Sequence, residues 1–301
     1  MAMDASFLSS QCVRPNRCIN SFNTLQGRQS RIQMLYKYCD TSGFDIARNS
    51  RLRLSKIEDF NDPFELVIGV DEISAEFNLR RELDEDSNII HTWIKVLEDK
   101  NVAYDETSQE DILQQFIQFQ VGDFQKAVKV LRQEWSRTTG IVCMSEEMDI
   151  IQMWAHYSDG HKGIVIGIEE NEFIRDRENI ITVCYRDKMV LLPVTGHIER
   201  LGQYVTKYIP EVLARKETHW SYEKEIRLFG RLEDEDEDGH YYFDVPSQAI
   251  KEIYLGLRSN NTTREDAIRL KERAEYRHLQ IYKMHRHESG FALTPHELFN
   301  D

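Results

Sequence analysis

The chain has 301 residues, 41% of them hydrophobic and 30% charged, the composition of an ordinary soluble globular protein with enough material for a sizeable core. A net charge of −14 argues against broad, non-specific affinity for nucleic acid or an anionic membrane surface. The five cysteines (Cys12, Cys18, Cys39, Cys143 and Cys184) lack any CxxC spacing, which fits a reducing compartment better than a disulfide scaffold or zinc site.

No apolar run is long enough to span a membrane, and the N-terminus lacks the apolar stretch of a secretory signal, so a cytoplasmic protein is expected. Residues 1–31 carry Ser, Asn, Pro and Gly with little periodicity and read as a flexible, locally basic arm. Residues 32–301 read as a single α+β domain with a helical insertion at about 74–137.

Order begins with the aromatic strand Met34–Cys39 and resumes at Arg51–Ser55, where apolar and polar residues alternate. Asn61-Asp62-Pro63 is turn chemistry, because side-chain oxygens can hold local N–H groups and Pro63 pushes Asp62 out of the helical region. Phe60 and Phe64 would anchor that turn. Ser74 to about Lys100 and Thr107–Arg137 read as helices, the second opened by a capping box from Thr107 to Glu110.

Gly140–Ser145 is a short apolar strand, Asp149–Tyr157 a short helix, Ser158–His161 a turn, and Lys162–Ile168 a strong strand. His156 and His161 lack the spacing of a helical metal pair, and no metal is expected. Ile180–Arg186 reads as a strand, and Val194 to about Lys216 as a helix interrupted near Pro210. Trp220–Phe229 reads as a strand with Glu223, Glu225 and Arg227 on one face and Lys224, Ile226 and Leu228 on the other.

The acidic run Glu233–Asp238 lacks the spacing of a calcium loop and reads as a solvated hairpin before the strand Tyr241–Val245. Ala249–Leu257 is a strand, Thr262 to about Tyr276 a helix capped at Thr262–Glu265, and Leu279–Arg286 a last strand. The expected core is a split, mostly antiparallel sheet of about eight short strands. The usual phosphate loops, nucleophile elbows and zinc-protease motifs are missing.

Four segments carry a resemblance: Leu35–Tyr38, Leu54 through Phe60–Glu65, Met153–Tyr157 through His161–Gly163, and Trp220–Arg227. In that order they resemble the bacterial family catalogued as domain of unknown function 2971, often found near mobile or defence genes. The resemblance runs from about residue 34 to 286 and implies a fold more than a function.

A second set of features is similar to the ADP-ribosyltransferase superfamily, which uses a split β fold, aromatics against the nicotinamide, and a catalytic Glu in a late strand. That likeness implies NAD as donor substrate and a macromolecular acceptor, protein or nucleic acid, with a protein partner or antitoxin in a toxin or antiviral defence setting. Glu225, Glu223 and Tyr157 would be the catalytic residues. Tyr36, Lys37, Ser55, Asn61, Asp62, Trp154, His156 and Lys162 would bind the donor. The first strand offers Lys37 where that superfamily has His or Arg, and no compact Ser-Thr-Ser triplet is present.

The chemistry is consistent, because a carboxylate such as Glu225 stabilises an oxocarbenium-like centre and Glu223 can orient or deprotonate an acceptor. Two other readings stand beside it. One is a non-enzymatic module, with Asn61–Pro63, His156, Tyr157 and Lys162 forming a recognition cleft. The other is a metal-dependent nuclease using Asp62, Glu65, Glu223, Glu225 and Lys162.

Overall fold

In the computed structural model the described residues are 33–86, 88–104, 108–173, 180–194 and 207–299, so the arm at 1–31 lies outside them. In chain order they form β1 (Met34–Cys39), α1 (Phe44–Asn49), β2 (Arg51–Lys56), β3 (Ile68–Asp71), α2 (Glu72–Glu85), α3 (Ile89–Asp99), α4 (Gln109–Thr138) and β4 (Thr139–Ser145). Next come α5 (Ile151–Tyr157), β5 (Ile164–Glu169), α6 (Glu170–Phe173), β6 (Ile180–Thr182), β7 (Cys184–Tyr185), β8 (Val190–Pro193), α7 (Ile209–Ala214) and β9 (Arg215–Lys216). The chain continues with β10 (Glu225–Arg231), β11 (Tyr241–Asp244), β12 (Ile250–Leu255), α8 (Asn261–Glu272), β13 (Gln280–Arg286) and β14 (Leu293–Glu297). The fold is α+β with a largely antiparallel sheet, and it holds more strands than the eight expected.

The chain divides into two compact units. The smaller comprises residues 64–135 and 186–215 among those described. Its helices α2, α3 and α4 bury Leu79, Trp93, Leu97, Leu113 and Phe116, with the Trp93 and Phe116 rings stacked at 4.6 Å. Ser108 caps α4 by accepting from the Asp111 N–H at 3.1 Å, so the helix starts later than a cap at Thr107 would place it; Thr107 itself lies outside the described residues. Beside these helices β3 pairs with β8 in parallel. Pro210 sits in the first turn of α7, where its missing N–H costs nothing, so it opens that helix instead of interrupting one. The rest of the expected helix, 195–206, lies outside the described residues.

The larger unit comprises residues 33–63, 136–185 and 216–299 among those described. Its ten-stranded sheet runs β11-β2-β4-β1-β5-β12-β13-β14, with β10 on the far side of β4 and β6 beyond it. Strand β4 splits the sheet. Ser145 pairs with Tyr36 of β1, whereas Gly140 and Ile141 pair with Lys56 and Ser55 of β2, and β10 follows the whole length of β4. The β12–β13 pair is parallel, and the C-terminal strand β14 was not expected from sequence.

Helix α8 takes its cap from Asn260, whose side chain accepts from the Thr263 N–H at 2.9 Å, not from Thr262. One sheet face buries Leu35, Ile166, Ile168, Ile226 and Ile253 among others, each worth ~1.5–3 kcal/mol relative to exposure. The other carries Tyr38, Val165, Tyr254 and Met284, covered by Met153 and Trp154 of α5. The turn after α5 is tight, because Asp159, Gly160 and His161 all have positive φ. Gly163 follows, and a Cβ there would lie 2.1 Å from the Cys39 carbonyl oxygen, so only glycine lets β5 enter beside β1.

Candidate functional site

The stretch Trp220–Phe229 is not one strand. Residues Thr218–Glu223 form a 3-10 turn whose start is capped by Glu217, which accepts from the His219 N–H at 2.8 Å. Lys224 then takes the left-handed conformation, with φ 45° and ψ 50°, and β10 begins at Glu225. Period-two alternation therefore does not set Glu223 beside Glu225. The left-handed residue does, and the Lys224 ammonium pairs with Glu147 across that bend.

Glu223 and Glu225 are 3% and 2% exposed, and Arg227 is fully buried. The charged face of the strand is thus withdrawn from solvent. Lys216, at the end of β9, places its ammonium 2.6 Å from Glu223 Oε2 and 2.8 Å from Glu225 Oε2. Arg227 donates from Nε to Glu225 Oε1 at 2.9 Å and from Nη2 to Glu225 Oε2 at 3.3 Å. The Trp220 ring lies against the Lys216 ammonium at 5.2 Å, which favours the cation. Backbone bonds fix the frame: the Ser145 hydroxyl donates to the Glu223 carbonyl at 2.7 Å, and the Glu225 N–H donates to the Tyr185 hydroxyl at 2.8 Å.

Burial alone would raise the Glu225 carboxyl, but Arg227 and Lys216 outweigh it and hold it down at about 2. Glu225 is therefore a permanent anion at neutral pH. Tyr157, half-buried at the end of α5, donates its hydroxyl to Glu223 Oε1 at 2.7 Å. Burial, then the Glu223 charge, push that hydroxyl well above its ordinary range. The exposed Asn61 side chain reaches the same hydroxyl at 3.5 Å, so Asn61, Tyr157 and Glu223 run from the surface into the charged cluster. Half-buried Tyr185 and Tyr222 flank it.

The fold brings Tyr157, Glu223, Glu225 and Asn61 together. Lys37 stands elsewhere: Tyr36 is level with Ser145, which is level with Glu225, so Tyr36 shares their face and Lys37 points to the opposite one. The Lys37 ammonium donates to the Cys143 carbonyl at 2.9 Å. Ser55 shares the face of Glu225 but is level with Phe229, four residues along β10, and it lies two strands across from β10, so it is ~16 Å away.

Trp154 is fully buried, with its indole N–H on the Met148 carbonyl at 2.8 Å and its ring edge-on to Tyr38 at 5.6 Å. His156 is exposed beside Tyr157, Lys162 is exposed and pairs with Asp159 at 3.5 Å, and Asp62 is 6% exposed. Glu65, also buried, belongs to the smaller unit. Among the described residues no group of three or more His, Cys, Asp or Glu is arranged to hold a metal ion, and no helix is long and apolar enough to cross a membrane.

Lys216, Tyr185 and Trp220 were missed as site residues. Lys216 sits at the end of a stretch whose apolar spacing suggests helix, and Tyr185 inside an expected strand, so no local signal marks either. A family model described as a protein of unknown function (DUF2971) matches residues 153–228, which hold Tyr157, Tyr185, Lys216, Glu223, Glu225 and Arg227. No curated protein and no solved structure matches the chain.

Proposed function

We propose that the protein is an ADP-ribosyltransferase-like enzyme that breaks the nicotinamide–ribose bond of NAD and passes ADP-ribose to a macromolecular acceptor. The observation that carries this reading is the Glu225 carboxylate, held ionised at the start of β10 by Arg227 and Lys216 two residues from a second, tyrosine-bonded carboxylate. A carboxylate titrating at about 2 is no proton carrier near neutrality. It suits the other task such a reaction sets, a fixed negative charge whose field stabilises the developing oxocarbenium ion. As the acceptor nucleophile bonds to the anomeric carbon, nicotinamide leaves with the electron pair of the broken bond. Glu223 takes the acceptor's proton through the half-buried Tyr157 hydroxyl, which gives its own proton to Glu223 as it accepts the acceptor's.

The setting in bacterial conflict, with a protein partner or antitoxin, rests on the family resemblance alone. Labelled NAD incubated with the protein and cell extract tests the activity: label transfer or NAD loss is expected with the native protein and absent with Glu225→Ala. Absence of both from the native protein overturns it.

The near-complete burial and internal pairing of both carboxylates favours a second reading, a binding module whose charged cluster only shapes the surface. It expects retained ligand and no turnover, which mass spectrometry of co-purifying molecules would show. The same pairing weighs against the nuclease reading, since Lys216 and Arg227 already occupy the oxygens a magnesium ion would need.

A further inference from the structure

We infer that Lys216 is the positioning residue of this site: its ammonium, bridging Glu223 and Glu225, keeps both carboxylates ionised and thereby holds the Tyr157 hydroxyl in place. Lys216 bridges Glu223 and Glu225, and Arg227 pairs with Glu225, all four side chains being buried. The two carboxylates differ in their support. Glu225 has the Arg227 guanidinium on both of its oxygens in addition to Lys216. Glu223 has Lys216 on Oε2 and the neutral Tyr157 hydroxyl on Oε1.

Remove the ammonium and the two buried carboxylates that shared it lose their common counter-charge. Like charges that close raise the proton affinity of one member of the pair. Arg227 still holds Glu225, so Glu223 takes up the proton. A neutral Glu223 is a weaker acceptor, and Tyr157 loses the anion that orients it.

Other titratable groups face the cluster. Tyr185, Tyr222 and the Cys143 thiol are all pushed up, each chiefly by burial, so all three stay neutral near neutrality and add no charge of their own. The effect of Lys216 on catalysis rests on the NAD reading, whereas its effect on Glu223 does not.

Carboxyl carbon-13 resonances of glutamate-labelled protein, titrated by nuclear magnetic resonance, test this directly. Lys216→Met is expected to gain one carboxyl that titrates well above the ordinary glutamate value of about 4.3. That resonance should be missing from the native protein, from Lys216→Arg, and from the double variant Lys216→Met with Glu223→Gln. No new high-titrating carboxyl in Lys216→Met, or one that persists in the double variant, overturns the inference. If Lys216→Met does not fold, the double variant should, because the carboxylate that lost its counter-charge is then neutral; equal failure of both also overturns it. Where the native protein consumes NAD, Lys216→Met should lose activity near neutrality and recover it at alkaline pH, while Glu225→Ala stays inactive throughout. A native protein with no NAD consumption sinks the enzymatic reading and leaves the titration result standing.

Discussion

Two carboxylates lie in one lateral row of the sheet and behave in opposite ways. Glu225 is level with Ser145, Ser145 with Tyr36, Tyr36 with Gly167, and Gly167 with Glu252, so Glu225 and Glu252 share a face four strands and roughly 19 Å apart. Around Glu225 stand two cations. Around Glu252 stand tyrosines: Tyr254 donates to its Oε2 at 2.9 Å, the Tyr36 hydroxyl adds a second bond, and the Tyr282 ring stacks on Tyr254 at 4.8 Å. Burial drives Glu252 up against those hydroxyl bonds, whereas Arg227 and Lys216 overcome burial at Glu225. Burial, then the Glu252 charge, push Tyr36 up to about 12 against the opposing hydrogen bond with Tyr254. Burial fixes how much a charge costs here, and the formal charge of the partner decides which form of the acid survives.

The largest expected effect is functional. Glu225→Gln keeps the shape and loses the charge, and should lower NAD turnover by about 10²–10³-fold, whereas Glu252→Gln should leave it near the native rate. A measured NAD-loss rate that falls equally in both would erase the distinction between the two ends of the row. Next comes Arg227→Met, which strands part of a buried charge and should cost about 3–5 kcal/mol in urea unfolding. A loss below 1 kcal/mol would mean that Lys216 alone suffices.

The pH dependence of stability should then separate the two acids by sign. Glu225 is lowered from an ordinary 4.5 to about 2, so its contribution is complete above 4.5 and disappears as pH falls towards 2. That loss is on the order of 3 kcal/mol and should shrink in the acid limb of the Arg227→Met curve, where Lys216 alone still holds Glu225. Glu252 is raised, so the fold favours its protonated form, and its share of stability is lost as pH rises from the ordinary value through the raised one. The smallest effect follows from this. Glu252→Gln should be neutral or gain less than about 1 kcal/mol at pH 7, with the gain shrinking in acid, as thermal melts at two pH values would show.

The sheet segments β1, β2, β4, β5, β12 and β13 were legible because their apolar runs and alternation match a buried surface. Glu225 and Tyr157 were legible as candidates, and Arg227 as a residue on the face of Glu225, because charge and an aromatic hydroxyl are costly inside such segments and so stand out. The turn Thr218–Glu223 was not, since its residues alternate well enough for a strand and the break is a left-handed lysine, a conformation rarely adopted outside glycine, asparagine and aspartate. Helix α7 was misjudged because Pro210 reads equally as an interruption or as a first-turn residue.

By itself the sequence determined the α+β class, the strands that carry the core, and the presence of an acidic pair near an arginine in a late strand. Only the tertiary structure decided that Glu223 and Glu225 are buried, that Lys216 bridges them, that Tyr157 reaches Glu223 from another element, and that Lys37 looks the other way. The reason is range. Alternation and capping act over a few residues, whereas an ion pair depends on which strands become neighbours and in what register, and that is set by the packing of the whole sheet.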